Sequence, residues 1–166
     1  MPLGKTHDRI TLWTLPLVTA GAGWVGGADI ALAVGGSYLF AGLMFAGDLD
    51  TYSRQYQRWL WVRWLWIPYQ KLVRHRSIWS HGLVVGTVVR LLYLGLWGAA
   101  LLGIVWAVRV GVGHGVGPVA WSTLQETLIY HRAPLLGILV GLELGSLSHS
   151  CSDWLGSAWK RRRRPK

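Results

Sequence analysis

His75-Arg76-Ser77-Ile78-Trp79-Ser80-His81 stands just before a run of 26 residues, Leu83 to Val108, whose only charge is Arg90. As a helix rising 1.5 Å per residue, that run reaches about 39 Å, more than the roughly 30 Å of a bilayer's hydrocarbon core. Two shorter apolar runs precede it, from Ile10 to about Val25 and from Ile30 to Ala46. A fourth follows, from Ala133 to about Trp159. The expected fold is all-α: a polytopic membrane helical bundle of about four spans, forming one domain over 1–159 with a basic tail at 160–166.

Composition agrees. Apolar residues make up 52% of the 166, charged residues 14%, and there are 12 Trp. An ordinary soluble domain is less apolar and poorer in Trp. A soluble bundle with the shorter runs as core helices is the competing reading. Mean hydropathy is only +0.33, which leaves room for a sizeable interfacial part. That part is 51–74, where Arg54, Arg58, Arg63, Lys71 and Arg74 alternate with Trp59, Trp61, Trp64, Trp66 and three tyrosines. Such a mixture suits the headgroup layer, where indoles straddle the boundary and arginines reach phosphates. It also suits single-stranded nucleic acid. The flanking apolar runs favour anionic lipid as the partner and no nucleic acid. Cys151 is the only cysteine, so there is no internal disulfide and no cysteine-based zinc knuckle.

The connections follow from local residues. Pro16 and Gly21, Gly23, Gly26 and Gly27 loosen the first run and predict a turn after it. Ser80 is the expected N-cap of the Leu83 helix. Residues 109–132 form a glycine-rich connection with a short helix at 121–130. In the last run Gly137, Gly141 and Gly145 lie four apart, a spacing that lets helix backbones approach closely in lipid.

Four spans place the polar clusters. An even number of crossings separates His7 and Asp8 from Asp48 and Asp50, these from His75 and His81, and these from His149 and Asp153. All therefore reach one face. Of the 17 basic residues, 14 fall on that face and only Arg109 and Arg132 flank the other. The positive-inside rule makes the shared face cytoplasmic, with both termini on it. His114 and His131 fall on the opposite side and are excluded.

Imidazole and carboxylate together suit zinc, iron(II) or manganese. The expected metal set is His7, Asp8, Asp48, Asp50, His75, His81, His149 and Asp153. This is more than one tetrahedral shell needs, so one or two divalent ions fit, zinc first and iron or manganese next. His149 and Asp153 share a helix face at i,i+4. Six residues separate His75 from His81, so these two need a turn between them. Asp8, Asp48 and Asp50 could instead be helix caps. Arg76 is the expected catalytic anion clamp. Glu143, a carboxylate inside the last run, is a candidate ligand or base. Arg90 either snorkels or reaches a phosphate, with snorkelling the expected course.

Asp-x-Asp at 48–50, His-Arg-x-x-x-Ser-His at 75–81 and Ser-His-x-x-x-Asp at 148–153 resemble the bacterial LexA-regulated membrane-bound metal-dependent hydrolases. The layout from Met-Pro-Leu-Gly-Lys-Thr-His-Asp at the start, through Gly-Asp-Leu-Asp-Thr-Tyr-Ser at 47–53, to Gly-Ser-Leu-Ser-His-Ser-Cys-Ser-Asp-Trp at 145–154 is more similar still to a metal-binding family common in photosynthetic bacteria, of unassigned function. That resemblance spans nearly the whole chain. It implies metal binding in a bacterial inner or thylakoid-type membrane and, by extension, hydrolysis of a phosphoester or lipid-linked substrate. Gly47, Ser77 and Ser80 stand where the hydrolases often carry Pro, Gly and Thr, which leaves the substrate open. The alternative is a non-enzymatic metal-binding subunit or assembly factor of a larger membrane complex.

Overall fold

The structure is a computed structural model that describes residues 4–113 and 121–162. The expectations for 114–120, His114 among them, and for 163–166 lie outside the described residues. Every regular element described is helical. Three segments are long and apolar enough to cross a membrane: Gly4–Asp50, Val85–Gly111 and Arg132–Trp159.

The first helix, α1 (Gly4–Met44), is broken at Gly27, whose φ of 77° and ψ of −170° lie outside helical space. A side chain would strain that backbone. The break folds the helix into a hairpin. Gly35 receives Thr19, Tyr38 hydrogen bonds to Thr14, and Gly42 receives Thr11, so the two limbs run antiparallel. Pro16 is accommodated without ending the first limb.

The last helix, α7 (Arg132–Arg162), packs against the second limb through its three spaced glycines. A β-carbon at Gly137 would stand 3.2 Å from Ala33. At Gly141 it would collide with Ser37 and Val34, and at Gly145 it would lie 2.7 Å from Ala41. The register is constant: 137 against 33, 141 against 37, 145 against 41. The second limb and α7 therefore run parallel, and His149 and Asp153 lie one and two further steps of four along α7. Both helices thus arrive at the same end of the molecule.

Between them lies a chain of short elements: a 3-10 turn at Gly47–Asp50, α2 (Arg54–Gln57), a 3-10 turn at Leu60–Trp66, α3 (Ile67–Leu72) and α4 (Ile78–His81). The segment expected to suit the headgroup layer has two faces. Tyr56, Trp66 and Tyr69 turn inward and pack with Phe45, Leu49 and Tyr93. Trp66 meets Trp59, Tyr69 and Phe45 edge-on, with ring centroids 5.1 to 5.9 Å apart. Leu60, Trp61, Trp64 and Ile67 remain exposed.

Helix α5 (Val85–Gly111) joins this core through its first half, where Gly86, Thr87 and Arg90 are buried and Val89, Leu91, Tyr93 and Leu94 pack against the aromatic cluster. From Gly98 to Gly113 every residue is exposed. The short α6 (Trp121–Tyr130) lies beyond it. Two expectations fail here. The residue at the N-cap position of α5 is Val84, while Ser80 is buried and hydrogen bonded to Arg74 O and Ser77 O. Arg90 does not snorkel. It is 1% exposed and donates to Ser80 O, Thr87 Oγ1 and Ser146 Oγ, because these buried acceptors lie within its reach.

Candidate metal centre

Five side chains converge where α1, the Gly47–Asp50 turn, α4 and α7 meet. His7 comes from the first turns of α1, Asp48 from the 3-10 turn, His81 from the end of α4, and His149 and Asp153 from α7. His149 Nε2 lies 3.3 Å from Asp48 Oδ2 and 3.9 Å from Asp153 Oδ2. His81 Nε2 lies 3.6 Å from Asp48 Oδ1, and His7 Nε2 lies 3.3 Å from Asp153 Oδ1. The rings of His7 and His149 are tilted against each other at 4.1 Å.

These separations fit a shared cation. Ligand atoms about 2.1 Å from an ion stand about 3.4 Å apart in a tetrahedral shell. Most direct hydrogen bonds are shorter. His81 Nε2 and His149 Nε2 are buried with no hydrogen-bond partner, although carboxylate oxygens lie close by. A buried orphan nitrogen is costly unless something binds it. Asp48, His81, His149 and Asp153 each offer one donor atom, all within 4.8 Å of one another.

The far nitrogen of each ring is held. His7 Nδ1 is 2.6 Å from Ser152 Oγ, whose hydroxyl donates to His149 O. His81 Nδ1 is 2.9 Å from Ser80 Oγ. His149 Nδ1 lies 3.4 Å from Gln55 Nε2, the nitrogen that donates to Gly42 O. Such partners fix ring orientation and turn Nε2 toward the centre. Ser80, Ser152 and Gln55 carry no sequence signal of this role beyond adjacency to the histidines, and Gln55 lacks even that.

A second group adjoins the first. Asp50, fully buried at its side chain, is 2.8 Å from His75 Nδ1, and its other oxygen is 3.8 Å from His81 Nδ1. Asp50, His75 and His81 also bring donor atoms within 4.8 Å. His81 therefore presents one ring nitrogen to each group.

The remaining candidates lie apart from these atoms. Asp8 is gripped by Arg58 at 2.7 Å and Arg54 at 3.0 Å, which ties the start of α1 to α2. Glu143 accepts from the Val84 amide at 2.8 Å, and together with His81 and Arg90 it lines a small cavity of about 10 Å³, room for about one water. Arg76, at φ 60°, is exposed and borders an open cleft beside His81 and Asp153. His131 stacks edge-on with Tyr130. Just behind the centre, burial pushes the Tyr69 hydroxyl above its ordinary value; Asp50 adds to that shift and Arg90 opposes it.

No curated protein and no solved structure matches the chain. A family described as "Uncharacterized metal-binding protein (DUF2227)" matches residues 2–163, nearly the whole chain. The match covers the residues that carry the donor set, and the chain belongs to this family.

Proposed function

We propose that this protein is a membrane-embedded, metal-dependent hydrolase whose centre opens on the cytoplasmic side, acting on a phosphoester or lipid-linked substrate. The observation that carries this reading is the pair of buried, unpartnered nitrogens, His81 Nε2 and His149 Nε2, converging on Asp48 beside an open cleft. A purely structural ion is usually closed off by protein ligands, whereas a catalytic one keeps a position open. When bound, a divalent ion there (zinc first, iron or manganese next) supplies Lewis-acid activation of water and of a phosphoryl oxygen.

The chain's residues supply the rest. Asp48, His81, His149 and Asp153 hold the ion, with His7 beside Asp153 steadying that carboxylate and the side facing the cleft left open to water. Asp50 and His75 form the flanking group, able to hold a second ion. Arg76 is the catalytic clamp on the substrate's anionic group. Glu143, engaged by Val84, fixes the entry of α5 rather than moving a proton.

Membrane embedding rests on the three long apolar segments, the first of which folds back on itself to give four crossings. The basic residues gather at the end that carries the centre, which supports a cytoplasmic placement of that end and of both termini. The exposed Leu60, Trp61, Trp64 and Ile67, with Arg63 among them, suit an anionic lipid surface.

Elemental mass spectrometry on the detergent-purified protein tests the reading. One or two zinc, iron or manganese ions per chain are expected, lost in H81A/H149A, with phosphoesterase turnover that follows metal content. A wild-type protein that takes up no metal on reloading refutes it. One observation favours a second reading, a metal-binding subunit of a larger membrane complex: the uncovered outer half of α5, which another helix could cover. Stoichiometric metal with no turnover on any phosphoester would select that reading.

A further inference from the structure

The cleft beside the centre has a volume of about 340 Å³, and its walls carry more than metal ligands. Arg76 and Arg161 border it, with Ser150, Ser157 and Trp154, while His81 and Asp153 form its floor. Arg161 lies eight residues beyond Asp153 on α7, two turns toward the exposed end. Both arginines are exposed, and neither has an ion-pair partner among the described residues. Arg54, Arg58 and Arg90 at the same end are engaged, the first two by Asp8 and the third by Ser80, Thr87 and Ser146.

Arg76 is held in the left-handed region at φ 60°. Glycine would adopt that backbone without strain, whereas arginine there costs about 1 kcal/mol or more. A glycine would supply no guanidinium. Strain retained at a charged residue on the rim of a site indicates that the side chain is what the position requires.

Resting on the hydrolase reading above, we propose that Arg76 and Arg161 form a two-guanidinium clamp for a phosphate group, and that the clamp works only when the centre holds its cation. Guanidinium matches phosphate geometry in a bidentate way. The hydroxyl of Ser157 adds a neutral donor, and the exposed indole of Trp154 offers an apolar wall for whatever the phosphate is attached to. Asp153 on the floor, with Asp48 across the centre from it, would repel an anion; a divalent cation cancels their charge. Phosphate and cation must therefore strengthen each other's binding by the same factor. A lipid headgroup and a free phosphomonoester share this chemistry.

The test uses the full chain in detergent, metal-free and zinc-loaded, with zinc content checked first. Titration with inorganic phosphate by calorimetry is expected to give saturable binding to the zinc-loaded protein and none to the metal-free one. R76Q and R161Q, both at exposed positions, should keep zinc and each weaken phosphate about tenfold or more, the loss of a hydrogen bond to a charged group. R76K should recover part of the loss. Vesicles of phosphatidylcholine with phosphatidic acid should displace phosphate if the source is lipid. Displacement by glycerol phosphate alone points to a soluble phosphomonoester. Phosphate binding that is equal without zinc, or unchanged in both glutamine variants, overturns the clamp while leaving the metal centre standing. A chain that holds no zinc overturns both.

Discussion

Gly47 lies directly against the imidazole of His81: a β-carbon on Gly47 would stand 2.8 Å from His81 Nε2. That nitrogen belongs to the candidate metal centre, and the ring is fixed on its other side by Ser80. The absence of a side chain at 47 thus lets the 3-10 turn and α4 approach closely enough to share Asp48 and His81.

Gly47→Ala should therefore displace His81 without unfolding the chain. We expect metal affinity to fall about 10–100-fold, the range seen when the surroundings of ligands are disturbed. Competition with a calibrated chelator measures it, and unchanged far-ultraviolet circular dichroism shows that the helices persist. Unaltered affinity would mean that His81 is not a ligand.

Gln55 is 4% exposed and reaches both Gly42 O and His149 Nδ1. Gln55→Leu keeps the volume and removes the polar hold on the ring. About tenfold weaker metal binding is expected, at unchanged stoichiometry. A loss of one whole ion per chain would instead make Gln55 a ligand's equal.

Asp8 and Asp48 separate two roles that look alike in sequence. Asp8→Asn breaks the contacts with Arg54 and Arg58 and should lower stability by about 2 kcal/mol, the worth of hydrogen bonds between charged groups. Metal content should stay the same. Asp48→Asn should do the reverse, removing metal while the metal-free protein melts as before or higher. Thermal unfolding and elemental analysis on both variants read the difference.

Arg90 is the most buried cation described, and its three acceptors come from α4, α5 and α7. Arg90→Met leaves those acceptors unpaired and should cost about 3 kcal/mol. The loss would show as a lower midpoint in denaturant. Little change would mean that the Ser80 carbonyl finds another donor.

Tyr69 supplies a pH signature. Its hydroxyl is buried without a hydrogen-bond partner, and burial raises it above the ordinary 10.0. The unfolded chain then loses this proton first as pH rises. The contribution is fully present below about pH 10 and is lost progressively above it. Tyr69→Phe should be nearly neutral at pH 7 and flatten the fall in stability above pH 10. An identical alkaline slope in both proteins would remove Tyr69 as its source.

Much of this protein is written in local patterns. The long apolar run from Leu83, the glycines at 26 and 27, and the fourfold spacing of Gly137, Gly141 and Gly145 each specify an element from its own residues, because helix length, turn and close packing are short-range properties. The even number of runs between His7, Asp48, His81 and His149 was enough to expect them at one end. Other features depend on partners distant in the chain. Asp8 and Asp48 both follow the pattern of an acidic residue at a helix end, yet Arg54 and Arg58 take up the first and two imidazoles face the second. Arg90 reads as a charge seeking the membrane boundary until α4 and α7 surround it with oxygen acceptors. Gln55 carries no pattern at all, since its role arises only where α2 meets α7. The sequence by itself determined the long helices and the end to which each polar cluster goes; only the tertiary structure decided the short helices between residues 54 and 81 and which side chains share an ion, because coordination depends on distances of a few ångströms between groups as many as 146 residues apart (His7 and Asp153).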